Sequence, residues 1–228
     1  MNLEVNKITK SFGANKVLDN TQLHLQQDEI VGIFGRNGSG KSTLLKIIFG
    51  TLKAQKVELK INAKFIPQNK IIPQKWIAYL PQFNFLPKNT IIRNIIPMYF
   101  QDGDQQDKIF YSPKVAEFEG LRPAELSIGQ LKYLEILLIA NLPHPFIILD
   151  EPFSMVDPLF KELIKEQLIK LKPTKGIIIT DHYYKDVLQI TDRNYLLKDG
   201  SILPVSNELE LSRYGYLSCP LNGPVSKR

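Results

Sequence analysis

Gly35, Gly38 and Gly40 lead into Lys41 and Ser42 in the order Gly35-Arg36-Asn37-Gly38-Ser39-Gly40-Lys41-Ser42. The spacing is G-x-x-x-x-G-K-S, and its chemistry is that of a phosphate cradle. Glycines let successive backbone N–H groups turn into one concavity, where they meet phosphate oxygens. A lysine at the end of the loop reaches the β- and γ-phosphates, and the next hydroxyl can join the shell of a Mg²⁺ ion. Asp150 and Glu151 are a second cluster, two carboxylates closing the apolar run Phe146–Leu149. At such a strand end one carboxylate can hold Mg²⁺ beside the phosphates, and its neighbour can orient or deprotonate an attacking water.

These groups need a scaffold that puts strand ends beside helix starts. Ile30–Phe34 reads as a buried strand before the loop, and Thr43–Phe49 as the helix after it, so the loop has the setting this motif requires. The helix adds the positive end of its dipole to the cradle. Two further apolar runs, Phe146–Leu149 and Ile177–Ile179, suit parallel strands covered on both faces. Between them, Phe160, Leu163, Ile164, Leu168 and Leu171 repeat at helical spacing within 158–172. Upstream, Leu3–Thr9, Val17–Gln26, Lys56–Ile66 and Trp76–Leu80 read as extended. Ile91–Phe100 and Asp107–Phe118 read as helical or irregular, and Ile128–Leu142 as a helix stopped by Pro143. Alternating β and α segments predict an α/β fold with a mostly parallel sheet.

Composition narrows the class. With 228 residues, one domain with a subdomain is expected. No apolar run reaches the ~20 residues that span a bilayer; the longest, Leu134–Leu149, is interrupted by Glu135, Asn141, Pro143 and Pro145. The first residues lack the charged, apolar and small-residue regions of a signal segment. A lone cysteine, Cys219, predicts neither an internal disulfide nor a cysteine metal cluster. The expectation is a soluble, cytoplasmic protein. The +6 formal charge fits phosphate, nucleic acid or anionic lipid alike, but the lysines are dispersed rather than run together.

Leu126-Ser127-Ile128-Gly129-Gln130, ahead of the helix at 128–142, decides among the phosphate-loop classes. Here the chain resembles the ATP-binding cassette (ABC) family, matching its LSGGQ signature at four of five positions. Other elements of that family follow in order. Tyr79-Leu80-Pro81-Gln82 resembles the Q-loop, Ser154-Met155-Val156-Asp157 the D-loop and Thr180-Asp181-His182 the switch histidine segment. Phe12 stands where the family stacks an aromatic ring on adenine. The resemblance covers residues 1 to about 204.

The resemblance implies a P-loop NTPase core with a mostly parallel sheet, an N-terminal antiparallel β subdomain and an inserted helical subdomain. It places the nucleotide-binding core in 1–82 and 140–228, and the helical subdomain with the signature in 83–139. It implies ATP held by Phe12, Gly35, Arg36, Asn37, Gly38, Ser39, Gly40, Lys41, Ser42 and Thr43, with Mg²⁺ held by Ser42, Gln82 and Asp150. Glu151 would be the general base, assisted by His182, Gln82 and Lys41. Ser127, Ile128, Gly129 and Gln130 would face the ATP of a second cassette, with Asp157 in the D-loop between them. The partner implied is a second cassette, as a homodimer. Separate transmembrane permease subunits would hold the pair at the inner face of the membrane, and no nucleic acid is expected. Residues 150–158 and 180–182 are similar to those of lipopolysaccharide-export and branched-chain amino-acid ATPases.

Two departures from the pattern have consequences. Ile128 replaces the first signature glycine, and a β-branched residue resists φ > 0. Its backbone is therefore predicted to adopt an ordinary angle, with the side chain turned from the phosphates. The stretch from Gln82 to Leu126 is short for the helical subdomain. The alternative function is a soluble ABC ATPase acting on nucleic acid or ribosomes; the second cassette or coiled-coil insertion of such proteins has no counterpart here.

Overall fold

Alternating apolar and polar residues build the first sheet. The computed structural model describes residues 1–217; Cys219 lies outside them. Strands β1 (Asn2–Phe12) and β2 (Asn15–Gln26) form an antiparallel hairpin. Leu3, Val5, Ile8, Leu18, Leu23 and Leu25 turn inward from it and are buried. β3 (Ile30–Phe34) leaves this sheet and runs into α1 (Lys41–Phe49).

The chain then returns to the first sheet as β4 (Lys56–Ile61) and β5 (Lys64–Phe65), giving the order β2-β1-β4-β5. The single extended stretch expected over Lys56–Ile66 is thus a hairpin. Asn62 (φ 49°) and Ala63 (φ 62°) form its two-residue turn, and both lie in the left-handed region. That is the combination a tight hairpin demands, and only the asparagine half of it was written in the composition.

β6 (Ile77–Leu80) leads to α2 (Ile92–Tyr99) and α3 (Gly103–Phe110), and then to α4 (Ile128–Ala140). Next come β7 (Phe146–Asp150), α5 (Pro158–Leu171), β8 (Gly176–Thr180) and α6 (Tyr184–Leu188). β9 (Arg193–Lys198), β10 (Ser201–Val205) and α7 (Glu208–Arg213) follow. β9 and β10 are a hairpin turning at Asp199-Gly200, a dipeptide that signals such turns.

The second sheet has the order β10-β9-β3-β8-β7-β6; all its strands are parallel except β10. β3, β7 and β8 are buried along their whole length, as their unbroken apolar runs require. Successive side chains divide between two cores. Val31, Ile33, Phe146 and Ile148 join α1 and the first sheet. Ile30, Phe34, Ile147, Leu149, Ile177 and Ile179 join α4, α5 and the helical insertion. This is the α/β architecture expected, with an N-terminal antiparallel subdomain and helices inserted between β6 and α4.

Candidate active site

The parallel strands end together, so the residues that follow β3, β6, β7 and β8 meet at one edge, where open α/β sheets bind ligands. Gly40 caps α1 at φ 103°, and a Cβ there would stand 2.7 Å from Val17 Cγ1. Only glycine can serve at that point. Lys41 is buried, and its Nζ donates to the Gly35 carbonyl at 2.6 Å. Burial pushes its ammonium below the usual lysine range, while Glu151, Asp150 and Asp181 pull the other way. Asn37, Gly38, Ser39, Gly40, Lys41, Ser42 and Thr43 line a cleft of about 450 Å³ with Val17, Gln82 and Glu151. Gly35 and Arg36 do not line it; the Arg36 guanidinium donates to the Gly215 carbonyl.

Asp150 ends β7, almost fully buried. Thr180 Oγ1 donates to its Oδ1 at 2.8 Å and Tyr79 Oη to its Oδ2 at 3.0 Å. Burial and the nearby Asp150 charge push the Tyr79 phenol well above its usual value, so it remains a donor. Glu151 takes the left-handed conformation, φ 57°, at a cost of roughly 1–2 kcal/mol for a non-glycine residue. Its N–H donates to Thr180 O at 2.7 Å, which holds the turn. The side chain thereby meets two loops. Gln82 Nε2 donates to Glu151 Oε2 at 3.0 Å, and His182 Nε2 lies 3.2 Å from Oε1. Three residues predicted from separate motifs are thus in direct contact.

Asp181, next to His182 in the chain, anchors this arrangement. It is fully buried; Phe153 N donates to Oδ2 at 2.7 Å and Tyr183 N to Oδ1 at 2.9 Å. It therefore ties the turn after Glu151 to the loop carrying His182. Burial pushes its carboxyl up to about 6 despite these donors.

The predicted signature residues do not line the cleft. Ser127 caps α4: Gln130 N donates to its Oγ at 3.1 Å, while Ser127 N donates to Gln130 Oε1 at 2.9 Å. This capping box was legible as S-x-x-Q and was missed. Ile128 opens the helix without positive φ, as predicted, and is half exposed. At Gly129 a Cβ would collide with Asp157 Oδ2 and stand 3.2 Å from Phe160 Cδ2. Asp157 itself caps α5 by accepting from Phe160 N at 3.2 Å. The two predicted loops are therefore packed against one another at the starts of α4 and α5. Phe12 ends β1, half exposed, with Lys10 Nζ 4.8 Å from its ring centre.

The model of the ABC transporter family matches residues 18–154, from β2 to the turn after Glu151. The chain belongs to that family. The lipopolysaccharide export system ATP-binding protein LptB of Haemophilus influenzae is 27% identical over 88% of each chain. The ATP-binding protein MJ1023 of Methanocaldococcus jannaschii is 26% identical over 99% of this chain and 86% of its own. Among solved structures, a nucleotide-free cassette from an ABC transporter superimposes with a TM-score of 0.79, at 25% identity over 96% of both chains. The post-hydrolysis dimer of the cassette MJ0796, bound to ADP and Pi, does so with a TM-score of 0.73. It is 26% identical over 88% of this chain and 96% of its own. This cassette is an ATP-binding ATPase.

The donor chemistry around the cleft suits Mg²⁺. A hydroxyl (Ser42), one carboxylate (Asp150) and an amide oxygen (Gln82) are hard oxygen ligands, and Mg²⁺ usually keeps several waters beside one or two such carboxylates. No cluster of three or more His, Cys, Asp or Glu side chains competes for a softer metal among the described residues.

Proposed function

We propose that the cassette is the ATP-hydrolysing subunit of a membrane transporter and works by closing with a second copy around ATP. The observation that carries this reading is the contact of Gln82 and His182 with Glu151, at the mouth of the loop holding Lys41. Glu151 keeps lone pairs free to take a proton from water, with its carboxylate steered by two neighbours on different strands' loops. Lys41 and the N–H groups of 35–43 hold the phosphates, and Phe12 stacks on adenine. Ser42, Asp150 and Gln82 would hold Mg²⁺, which would supply charge neutralisation at the phosphates. His182 positions Glu151 and the γ-phosphate end of the site.

Ser127, Ile128, Gly129 and Gln130 serve the partner's ATP, and Asp157 links the two sites. Their position away from the chain's own cleft supports this. A capped helix start with a hydroxyl proton free to donate is a fitting receptor for an anion. In this reading residues 1–82 and 140–228 are the nucleotide-binding core and 83–139 the helical subdomain. No described helix is long and apolar enough to cross a membrane, so separate permease subunits carry the path. The pair then sits as a peripheral complex on the cytoplasmic face. Phe83, 80% exposed directly after Gln82, offers them an apolar contact. Nucleic acid is not a partner in this reading.

Glu151→Gln tests it. The amide keeps the shape and loses the base, so ATP affinity should stay within a few-fold while turnover falls by at least about a hundredfold. Steady-state hydrolysis near the wild-type rate would remove Glu151 from its role.

A further inference from the structure

The helix that begins at the signature carries two charged side chains where an apolar residue would pack. α4 is buried on nearly every side from Gly129 to Ala140, yet Lys132 is 4% exposed and Glu135 not at all. Neither reaches the nucleotide cleft. Both face the segment that follows β6. Lys132 Nζ donates to the Gln82 carbonyl at 3.4 Å, and Phe85 N donates to Glu135 Oε1 at 3.0 Å. Lys132 Nζ and Glu135 Oε2 stand 3.6 Å apart, and Oε2 has no other partner. A buried pair one turn apart on the helix thus grips the turn 82–85 at both ends. As an ion pair the two contribute little net stability; what they add is hydrogen bonds to the Gln82 carbonyl and the Phe85 N–H, which apolar side chains could not make.

We infer that Lys132 and Glu135 are positioning residues for Gln82: they lock the loop that carries it to the signature helix, so the helix sets how Gln82 meets Glu151. This rests on the reading of Gln82 as part of the hydrolytic site. Ser127 caps α4, so a shift of the helix start moves the grip, and the grip moves Gln82 relative to Glu151. Every contact involved is direct: Gln82 to Glu151, Gln82 carbonyl to Lys132, Lys132 to Glu135, Glu135 to the Phe85 N–H.

The test removes the pair as a whole, because removing one partner leaves a buried charge and risks the fold. The double variant Lys132→Met with Glu135→Leu should melt within a few degrees of wild type. Its kcat should fall about tenfold while KM for ATP stays within about twofold. Glu135→Gln keeps an acceptor for the Phe85 N–H and should retain kcat within about threefold. In a Gln82→Ala background the double variant should change kcat by less than about twofold, because the residue it positions is gone. A folded double variant with wild-type kcat would overturn the inference, as would the same tenfold loss with alanine at 82. Gln82→Ala turning over at the wild-type rate would instead bring down the reading of the site, and the inference with it. If the double variant does not fold, Lys132→Gln with Glu135→Gln carries the test without a buried charge. Its kcat should fall at least about threefold with Gln82 present and less than about twofold in the Gln82→Ala background. A wild-type kcat or equal losses in both backgrounds would overturn the inference.

Discussion

At the scale of single residues, Asp181 carries the clearest cost. Its carboxyl titrates near 6 in the fold and near 3.8 without it, so the native state binds the extra proton between those values. Its contribution to stability therefore rises as pH falls through 6, the reverse of a paired surface carboxylate. Compared with Asp181→Asn, wild type should gain about 2 kcal/mol between pH 7.5 and pH 4.5. Thermal melts of both proteins across that range give the difference, and a flat one would mean that Asp181 stays ionised throughout. The signature makes a second case. Ser127 Oγ already accepts from Gln130 N, so its proton is left to donate, whereas the Ile128 side chain is half in solvent. Ser127→Ala should cost about 1 kcal/mol of stability through the cap and turnover well beyond that. Ile128→Gly should change turnover by less than about fivefold, under 1 kcal/mol of barrier. A tenfold gain for the glycine variant alongside a silent alanine would reverse the two roles. Phosphate-loop and strand-end residues were readable because each motif has fixed spacing. Asp181, Lys132 and Glu135 were not, because what they do is set by partners 28 to 50 residues distant. Glu135 left a trace as a charge inside an apolar run, but the run alone could not say what faced it.

Among the elements, α4 and α5 meet closely at their first turns. Gly129 has helical backbone, so alanine there gains up to about 1 kcal/mol of helix propensity. Its methyl group must push aside Asp157 Oδ2, on the carboxylate whose Oδ1 caps α5, and crowd Phe160, which together cost about 2–3 kcal/mol. Gly129→Ala should therefore lower Tm despite the propensity gain; a higher Tm would mean that the junction yields freely. Three strands of the second sheet were legible for a plain reason. Burial on both faces makes a continuous apolar run, and β3, β7 and β8 are such runs. β4 and β5 blurred into one stretch because their turn uses Ala63, which no propensity assigns to a left-handed angle. β9, β10 and α7 are partly exposed and mix polar with apolar residues, so periodicity gave little to read there.

For the whole molecule, the proposed pairing with a second cassette would make activity a property of two chains, in keeping with the separation of the signature from the chain's own cleft. Specific ATPase activity should rise with protein concentration, and Glu151→Gln with ATP should scatter light as a dimer while nucleotide-free protein stays monomeric. A monomer in both states with full activity would make the single chain sufficient. Lys132 and Glu135 carry one more consequence. They hold the turn after Gln82 by a main-chain carbonyl and a main-chain N–H, so they are indifferent to which side chains stand at 83 and 84. Phe83 and Asn84 point outward and are exposed. Evolution, or an engineer, can therefore rewrite the face offered to a partner at these two positions without retuning the hydrolytic machinery behind it. A lock that reads only the backbone leaves the address on the outside free to change.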